Sequence, residues 1–386
     1  MSATHPDNLL DAVAALRSGA ISANELALQT LERARRAQQR TNCLLAIEAE
    51  TLLLGAERAD LVLADARRRG VVPVGALQGV PLAHKDMFGR GGGLVRYGSK
   101  AVLDQVSRQV ATVTARLEQA GALEVGALNM AEFALGATGH NAAYDDCRNA
   151  WNPEHISGGS SSGSGAAVAC GAAFASLGSD TGGSVRIPAS ANGLVGLKPT
   201  YGLIPRTGSM KLAPSIDVIG PMARTTADLA EILQLVAGGD GIDANASLRP
   251  ISDYRSVIHQ GVEKLRIGVP TNYFFDVATD EIREAMDRSL QALLRAGAQR
   301  VDVGGLADER QGVEIDPDFT ADGDVSPILI GQGREVDFDA REIDVAAATQ
   351  RAGLFDFTTE SVGPLFQHAQ LDETIINEDD ATDRDR

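Results

Sequence analysis

The chain lacks several features that would direct it to a particular class of protein. Its three cysteines (Cys43, Cys147 and Cys170) are widely spaced and form no CxxC pair, which argues against a disulfide framework and against a cysteine-based zinc site. No hydrophobic run approaches the roughly 18 residues that a membrane span requires, and no apolar signal segment stands at the start. We therefore expect a cytoplasmic protein without membrane association.

Basic residues are also scarce, and the resulting negative charge is unevenly distributed. The net charge is −17, and residues 306–386 hold 21 acidic residues against six arginines and no lysine, a net charge of −15. Residues 1–305 therefore carry only −2, without the basic excess that is typical of proteins binding nucleic acid directly. The polar composition of residues 372–386 predicts a solvated, disordered tail.

What the chain does contain begins with a helical region over residues 1–70. Apolar residues recur at helical spacing from Leu9 to Leu16, and Ser22-Ala-Asn-Glu25 predicts a capping box that opens a helix reaching about Arg40. A further helix is predicted over 52–69, ended by Gly70. We interpret these helices as scaffold within a larger domain.

Residues 71–305 alternate short apolar segments with helical ones. This alternation predicts an α/β fold with a central mixed sheet and helices on both faces. Strands are expected at 80–83, 123–128, 175–178 and 264–270, and helices at 111–120, from about Asn129, at 165–174 and at 279–296.

The segment Gly178–Pro188, which reads GSDTGGSVRIP, places Ser184 behind two glycines. Attack on an amide or ester carbonyl needs a nucleophile and backbone N–H donors aimed at the developing oxyanion. Gly182 and Gly183 have no side chain to obstruct such donors, so the amides of residues 181–184 are candidates for an oxyanion hole. The alternative is a Gly-Gly turn that precedes an ordinary helix.

Two further segments contain residues that could assist such a serine. Lys85 stands in an apolar run, where a desolvated amine can act as a base; alternatively it is an exposed lysine paired with Asp86. The block 157–165 (SGGSSSGSG) could be a linker or, less well, a phosphate loop, since no Gly-Lys-Ser/Thr follows. His84 is a poorer candidate for the base, because no GxSxG elbow surrounds a serine.

Taken together and in this order, these segments resemble the amidase signature family of serine hydrolases. The resemblance runs from about residue 21 to 238 and includes 79–88, 149–165, 177–188 and 193–205. It implies an amidase-signature α/β/α fold and a Ser-Ser-Lys triad that needs no metal and no organic cofactor.

The family's residues carry over position by position. The resemblance implies that Ser184 is the acylating nucleophile, that Ser160 bridges, and that neutral Lys85 draws the proton from Ser184 through Ser160. It also implies a cis peptide bond between Gly159 and Ser160. The amides of Thr181, Gly182, Gly183 and Ser184 would form the oxyanion hole, and Asp180 would pair with Arg186 to brace the nucleophile turn.

Two positions depart from the family pattern. Ser162 stands where glycine is usual, and residues 306–371 form a divergent acidic region in place of the expected substrate-pocket segment. The predicted organisation is therefore a helical part (1–70), a catalytic core (71–305), the acidic region (306–371) and the tail (372–386).

The predicted function is hydrolysis of a small-molecule carboxamide through a Ser184 acyl-enzyme. One alternative is a glutamine-amidase subunit of a tRNA-dependent amidotransferase, which would work with a partner subunit. Another is an inactive remnant whose substrate pocket is incomplete. A homodimer is also possible from the sequence.

Overall fold

The computed structural model describes residues 6–303, apart from 91–92, 103–106, 108, 264, 272–274 and 276–277. The predicted acidic region and tail lie outside the described residues, as does Lys264, the first residue of a predicted strand. Helices and strands alternate as the α/β prediction requires. The elements, in chain order, are α1 Leu9–Ser18, α2 Ala23–Thr41, α3 Ala49–Arg69, β1 Pro81–Lys85, α4 Thr112–Gln119, β2 Leu123–Leu128, α5 Ser162–Ala169, β3 Ala175–Asp180, α6 Arg186–Ala191, β4 Val195–Gly196, β5 Val218–Ala223, α7 Thr226–Val236, α8 Tyr254–Val257, β6 Arg266–Pro270, α9 Asp280–Arg295 and β7 Gln299–Val303.

Local sequence signals account for the N-terminal helices. The backbone N–H of Glu25 donates to Ser22 Oγ at 3.1 Å, and the N–H of Ser22 donates to the Glu25 carboxylate at 3.0 Å. These two bonds are the predicted capping box, which satisfies N–H groups that a helix start leaves without partners. Helix α3 ends where Gly70 adopts the left-handed conformation. Both predictions are confirmed.

The strands of the described part form three small sheets rather than one. Strands β1 and β2 pair in parallel, β3, β5 and β4 pair antiparallel with β5 in the centre, and β6 pairs with β7 in parallel. Strand β1 lies beside β3, where the N–H of Phe174 donates to the Pro81 carbonyl at 3.1 Å. The mixed α/β class is confirmed. The single central sheet that the sequence predicts is divided between β1 and β3, whose backbones do not form a ladder.

Helix α5 and strands β1 and β3 form the centre of the core. Every residue of β1 and β3 is buried, and so are residues 162–168 of α5. A Cβ on Gly163 would lie 2.3 Å from the Cys43 carbonyl oxygen and 2.5 Å from the Asn129 nitrogen. Only glycine allows this close backbone approach, so the Ser/Gly block is a packed helix start and not a linker.

The predicted helix from Asn129 is wrong. The structure has only a single 3-10 turn at Glu132–Ala134, in which Phe133 has a φ of 51°. The Asn129 side chain does not cap a helix, because its amide donates to the Asn42 carbonyl at 2.9 Å and its oxygen accepts from the adjacent Met130 N–H. Tertiary hydrogen bonds thus outweigh the local capping signal.

Candidate active site

Lys85 is the last residue of β1, and its side chain is only 1% exposed. Its Nζ lies 2.7 Å from Ser160 Oγ and 2.9 Å from Ser179 Oγ, within hydrogen-bond distance of both hydroxyls. The alternative of an exposed lysine paired with Asp86 is therefore wrong. The structure brings together a lysine and a serine that are 75 positions apart in the chain.

Burial sets the protonation of this lysine. Removal from water lowers the pKa of Lys85 to about 7, against the opposing effect of the negative charges of Asp180 and Asp217. An ammonium group loses more hydration energy on burial than a neutral amine does. At neutral pH a substantial fraction of Lys85 is therefore a neutral amine, the form that can accept a proton.

Ser160 is fully buried and lies just before helix α5. The peptide bond between Gly159 and Ser160 is cis, as the resemblance implies. The Ser160 carbonyl accepts a hydrogen bond from the N–H of Ala131 at 3.0 Å. The Ser160 side chain thus contacts Lys85, while its backbone carbonyl is held by Ala131.

Ser184 lies in the turn between β3 and α6 and is half-buried. The N–H of Ser161 donates to its carbonyl at 3.2 Å, which connects the two serine segments through their backbones. Its Oγ makes no hydrogen bond to a described residue. The predicted link between Lys85 and Ser160 is thus a hydrogen bond here, and the predicted link between Ser160 and Ser184 is not.

Asp180 braces the turn formed by residues 181–184. Arg186 donates to both of its carboxylate oxygens, at 3.0 and 2.9 Å. Burial alone would raise the pKa of Asp180. The hydrogen bonds and positive charge of Arg186, together with hydrogen bonds from backbone amides, outweigh the effect of burial and hold the pKa below its ordinary value. The carboxylate therefore stays ionised and keeps the turn in place.

Asp180 also changes the predicted oxyanion hole. The N–H of Gly183 donates to Asp180 Oδ1 at 2.8 Å and so does not face an incoming carbonyl in this structure. The amides of Gly182 and Ser184 donate to no described residue. The φ of Gly183 is +134° and a Cβ there would lie 2.7 Å from the Ile187 side chain, so this turn requires glycine.

The structure brings in one residue that the sequence analysis did not single out. Ser179 precedes Asp180 in β3 and is buried, and its Oγ is the second partner of Lys85. Alternation along a strand directs neighbouring side chains to opposite faces. The sequence could therefore have predicted that Ser179 and Asp180 point to opposite faces of β3. It could not have predicted that Ser179 contacts Lys85, because that requires knowing where Lys85 lies in the fold.

His84 has a structural role. Its Nδ1 accepts a hydrogen bond from the N–H of Leu177 at 3.1 Å, so the ring bridges β1 and β3 where their backbones do not pair. Burial, aided by the charge of Arg90, lowers the pKa of His84 to about 3. At neutral pH His84 is therefore an uncharged imidazole whose Nδ1 is occupied by the hydrogen bond from Leu177.

The fold and site together define an α/β protein with a buried serine–lysine pair beside a glycine-rich turn. The chain belongs to the Amidase family, whose model matches residues 25–310. The resemblance found in the sequence is therefore confirmed.

Curated relatives extend this result. The glutamyl-tRNA(Gln) amidotransferase A subunit from Roseiflexus sp. (strain RS-1) is 42% identical over 299 residues, which is 78% of this chain and 60% of the relative. The protein of the same name from Anaeromyxobacter sp. (strain K) is 40% identical over 76% of this chain and 59% of its own length.

Solved structures are similar as well. The native peptide amidase from Stenotrophomonas maltophilia aligns with a TM-score of 0.70 at 32% identity, covering 77% of this chain and 62% of the peptide amidase. The glutamyl-tRNA(Gln) amidotransferase A subunit from Thermotoga maritima aligns with a TM-score of 0.63 at 33% identity, covering 73% and 58%. The chain thus spans about three fifths of these relatives' lengths. Within residues 6–303 as described, no helix has the length and apolar character of a membrane span.

Proposed function

We propose that this protein hydrolyses the C–N bond of a carboxamide through an acyl-enzyme on Ser184. The observation that carries the proposal is the 2.7 Å contact between Lys85 Nζ and Ser160 Oγ at a fully buried position. A buried amine with a pKa near 7 is suited to accept a proton from a hydroxyl and to return it.

The first half of the reaction forms the tetrahedral intermediate from which the acyl-enzyme arises. Ser184 Oγ attacks the carbonyl carbon and gives its proton to Ser160 Oγ, while Ser160 gives its own proton to neutral Lys85. The carbonyl oxygen becomes an oxyanion beside the glycine-rich turn, where the amides of Gly182 and Ser184 are the available donors. Thr181 supplies a further candidate amide.

The second half releases the amine, which leaves the acyl-enzyme ester on Ser184, and then the acid. When the C–N bond breaks, Lys85 returns a proton through Ser160 to the departing nitrogen, which leaves as a neutral amine. Water then attacks the ester carbon, and its proton follows the same path to Lys85. Lys85 returns that proton through Ser160 to Ser184 Oγ as the ester C–O bond breaks, so Ser184 leaves as a hydroxyl. The relay requires Ser184 Oγ to approach Ser160, a contact of the kind that often tightens only when substrate is bound.

The test is ammonia release from a panel of primary amides that includes L-glutamine. Ser184→Ala should abolish release while the variant unfolds at the wild-type temperature. Ser190→Ala is the matched control, because Ser190 is an exposed serine of the next helix, α6. Equal turnover by Ser184→Ala and wild type would overturn the proposal.

A second candidate is a glutamine-amidase subunit that delivers ammonia to a partner. The two curated relatives above favour it, since both are named as the A subunit of a glutamyl-tRNA(Gln) amidotransferase. Ammonia release from glutamine that needs an added amidotransferase partner subunit would favour this candidate over a free-standing amidase. A cooperatively folded protein that releases no ammonia in either case would indicate the inactive alternative.

A further inference from the structure

Asp217 lies immediately before β5, in contact with the nucleophile turn. Strands β3 and β5 are antiparallel with Asp180 opposite Val218, so Thr181 and Asp217 come next in that register. Thr181 Oγ1 donates to Asp217 Oδ1 at 2.6 Å. Asp217 is 6% exposed, which makes this a hydrogen bond to a largely buried carboxylate.

The other carboxylate oxygen of Asp217 holds the preceding loop. Asp217 Oδ2 accepts from the N–H groups of Leu212 and Ala213 at 2.8 and 2.9 Å. Both oxygens are therefore engaged by donors of the protein itself. A buried carboxylate with three such donors is held in one orientation, and it holds its partners in turn.

We infer that Asp217 is a positioning residue that fixes the Thr181 end of the nucleophile turn through the Thr181 hydroxyl. Asp180 fixes the other end, where it binds the Gly183 amide and Arg186. The turn is thus tied by a carboxylate on each side of Gly182, whose own backbone is exposed. This inference rests on the proposed function, because it assigns the 181–184 turn to the reaction.

Asp217 also acts on Lys85 through its charge. The groups that oppose the effect of burial on the pKa of Lys85 are the carboxylates of Asp180 and Asp217, and the remaining contacts of Nζ are the neutral hydroxyls of Ser160 and Ser179. Removal of one negative charge lowers the pKa of a nearby amine. A residue that contributed only packing or neutral hydrogen bonds would not produce this effect.

The experiment measures the rate at which a fluorophosphonate modifies Ser184, as a function of pH. Thr181→Val removes only the hydroxyl and should slow the reaction about 10-fold or more, since small displacements of reacting groups have effects of this size. Its pH midpoint should stay at the wild-type value because Asp217 keeps its charge. Thr181→Ser should restore most of the rate lost in Thr181→Val.

Asp217→Asn should slow the reaction as well and move the pH midpoint downward. If this variant does not fold, the comparison of Thr181→Val with Thr181→Ser still decides. Equal rates per folded molecule in wild type and Thr181→Val, with only a lower unfolding temperature in the variant, would overturn the inference.

Failure of the proposed function gives a different result, namely no adduct on the wild-type protein. Amide hydrogen exchange of residues 181–184 then tests the inference without chemistry. Exchange that is faster in Thr181→Val than in wild type supports the role of Asp217, and unchanged exchange contradicts it.

Discussion

Lys85 Nζ lies 2.7 Å from Ser160 Oγ at a position from which solvent is almost excluded. A neutral amine has two hydrogens and one lone pair, so it can donate to one hydroxyl and accept from another, whereas an ammonium with three hydrogens can only donate. One N–H can be donated to Ser179 and the lone pair can accept the Ser160 hydrogen, so both hydroxyl contacts are used. The same geometry therefore satisfies both hydroxyl contacts and is the one that the proposed proton transfer requires.

The pH dependence of the reaction should report on Lys85. Because the pKa of Lys85 is lowered to about 7 and its neutral form is the proposed base, kcat/KM should rise with pH and level off above about pH 8. Lys85→Ala should lower kcat/KM by about 10²- to 10⁴-fold, the usual range for loss of a general base. The measurement is kcat/KM from pH 5 to 9 for an amide substrate. A wild-type profile that stays flat while chemistry limits the rate would contradict the role of the lysine.

The two hydroxyl partners of Lys85 should differ in their effects. Ser160 lies on the proposed path to Ser184, whereas Ser179 contacts the amine outside that path. We expect Ser160→Ala to lower kcat about 100-fold or more and Ser179→Ala to lower it about 10-fold or less. Each change removes one hydroxyl from one buried position, so the two variants are matched controls for each other. Equal losses would contradict a relay through Ser160.

Protonation of His84 should weaken the fold in acid. Its pKa is about 3 in the folded protein and 6.5 ordinarily, so unfolding takes up one proton between these values. The stabilisation is complete above pH 6.5 and is lost as the pH falls toward 3, by about 1.4 kcal/mol per pH unit. Urea unfolding at pH 7, 6 and 5 should show a smaller loss for His84→Gln than for wild type. The same pH dependence in both proteins would show that His84 is not a buried, uncharged imidazole in the folded protein.

The elements that the sequence predicted well are those with local signals. The capping box at Ser22, the stop at Gly70 and the strand Leu123–Leu128 depend on neighbouring residues alone. Asn129 misled the prediction because its side chain binds the carbonyl of Asn42, a residue 87 positions away. Distant partners of this kind leave no periodic pattern in the sequence.

The residues of the candidate site also fall into those that the sequence could identify and those that only the structure could. Lys85, Ser160 and Ser184 stand in recognisable segments, and these segments in this order matched a family pattern. Ser179 and Asp217 could not be found by such reasoning, because one depends on the position of Lys85 and the other on the pairing of β3 with β5. These roles follow from strand register, which only the folded chain defines.

The most direct test of the account is intact-mass analysis of the protein after reaction with a fluorophosphonate. We predict a single adduct on the wild-type protein, located on the peptide that contains Ser184. The adduct should be absent from Ser184→Ala and form slowly in Lys85→Ala, whereas Ser190→Ala should react like wild type. An adduct that persists in Ser184→Ala, or a cooperatively folded wild-type protein that forms none, would contradict the claim that Ser184 is an activated nucleophile.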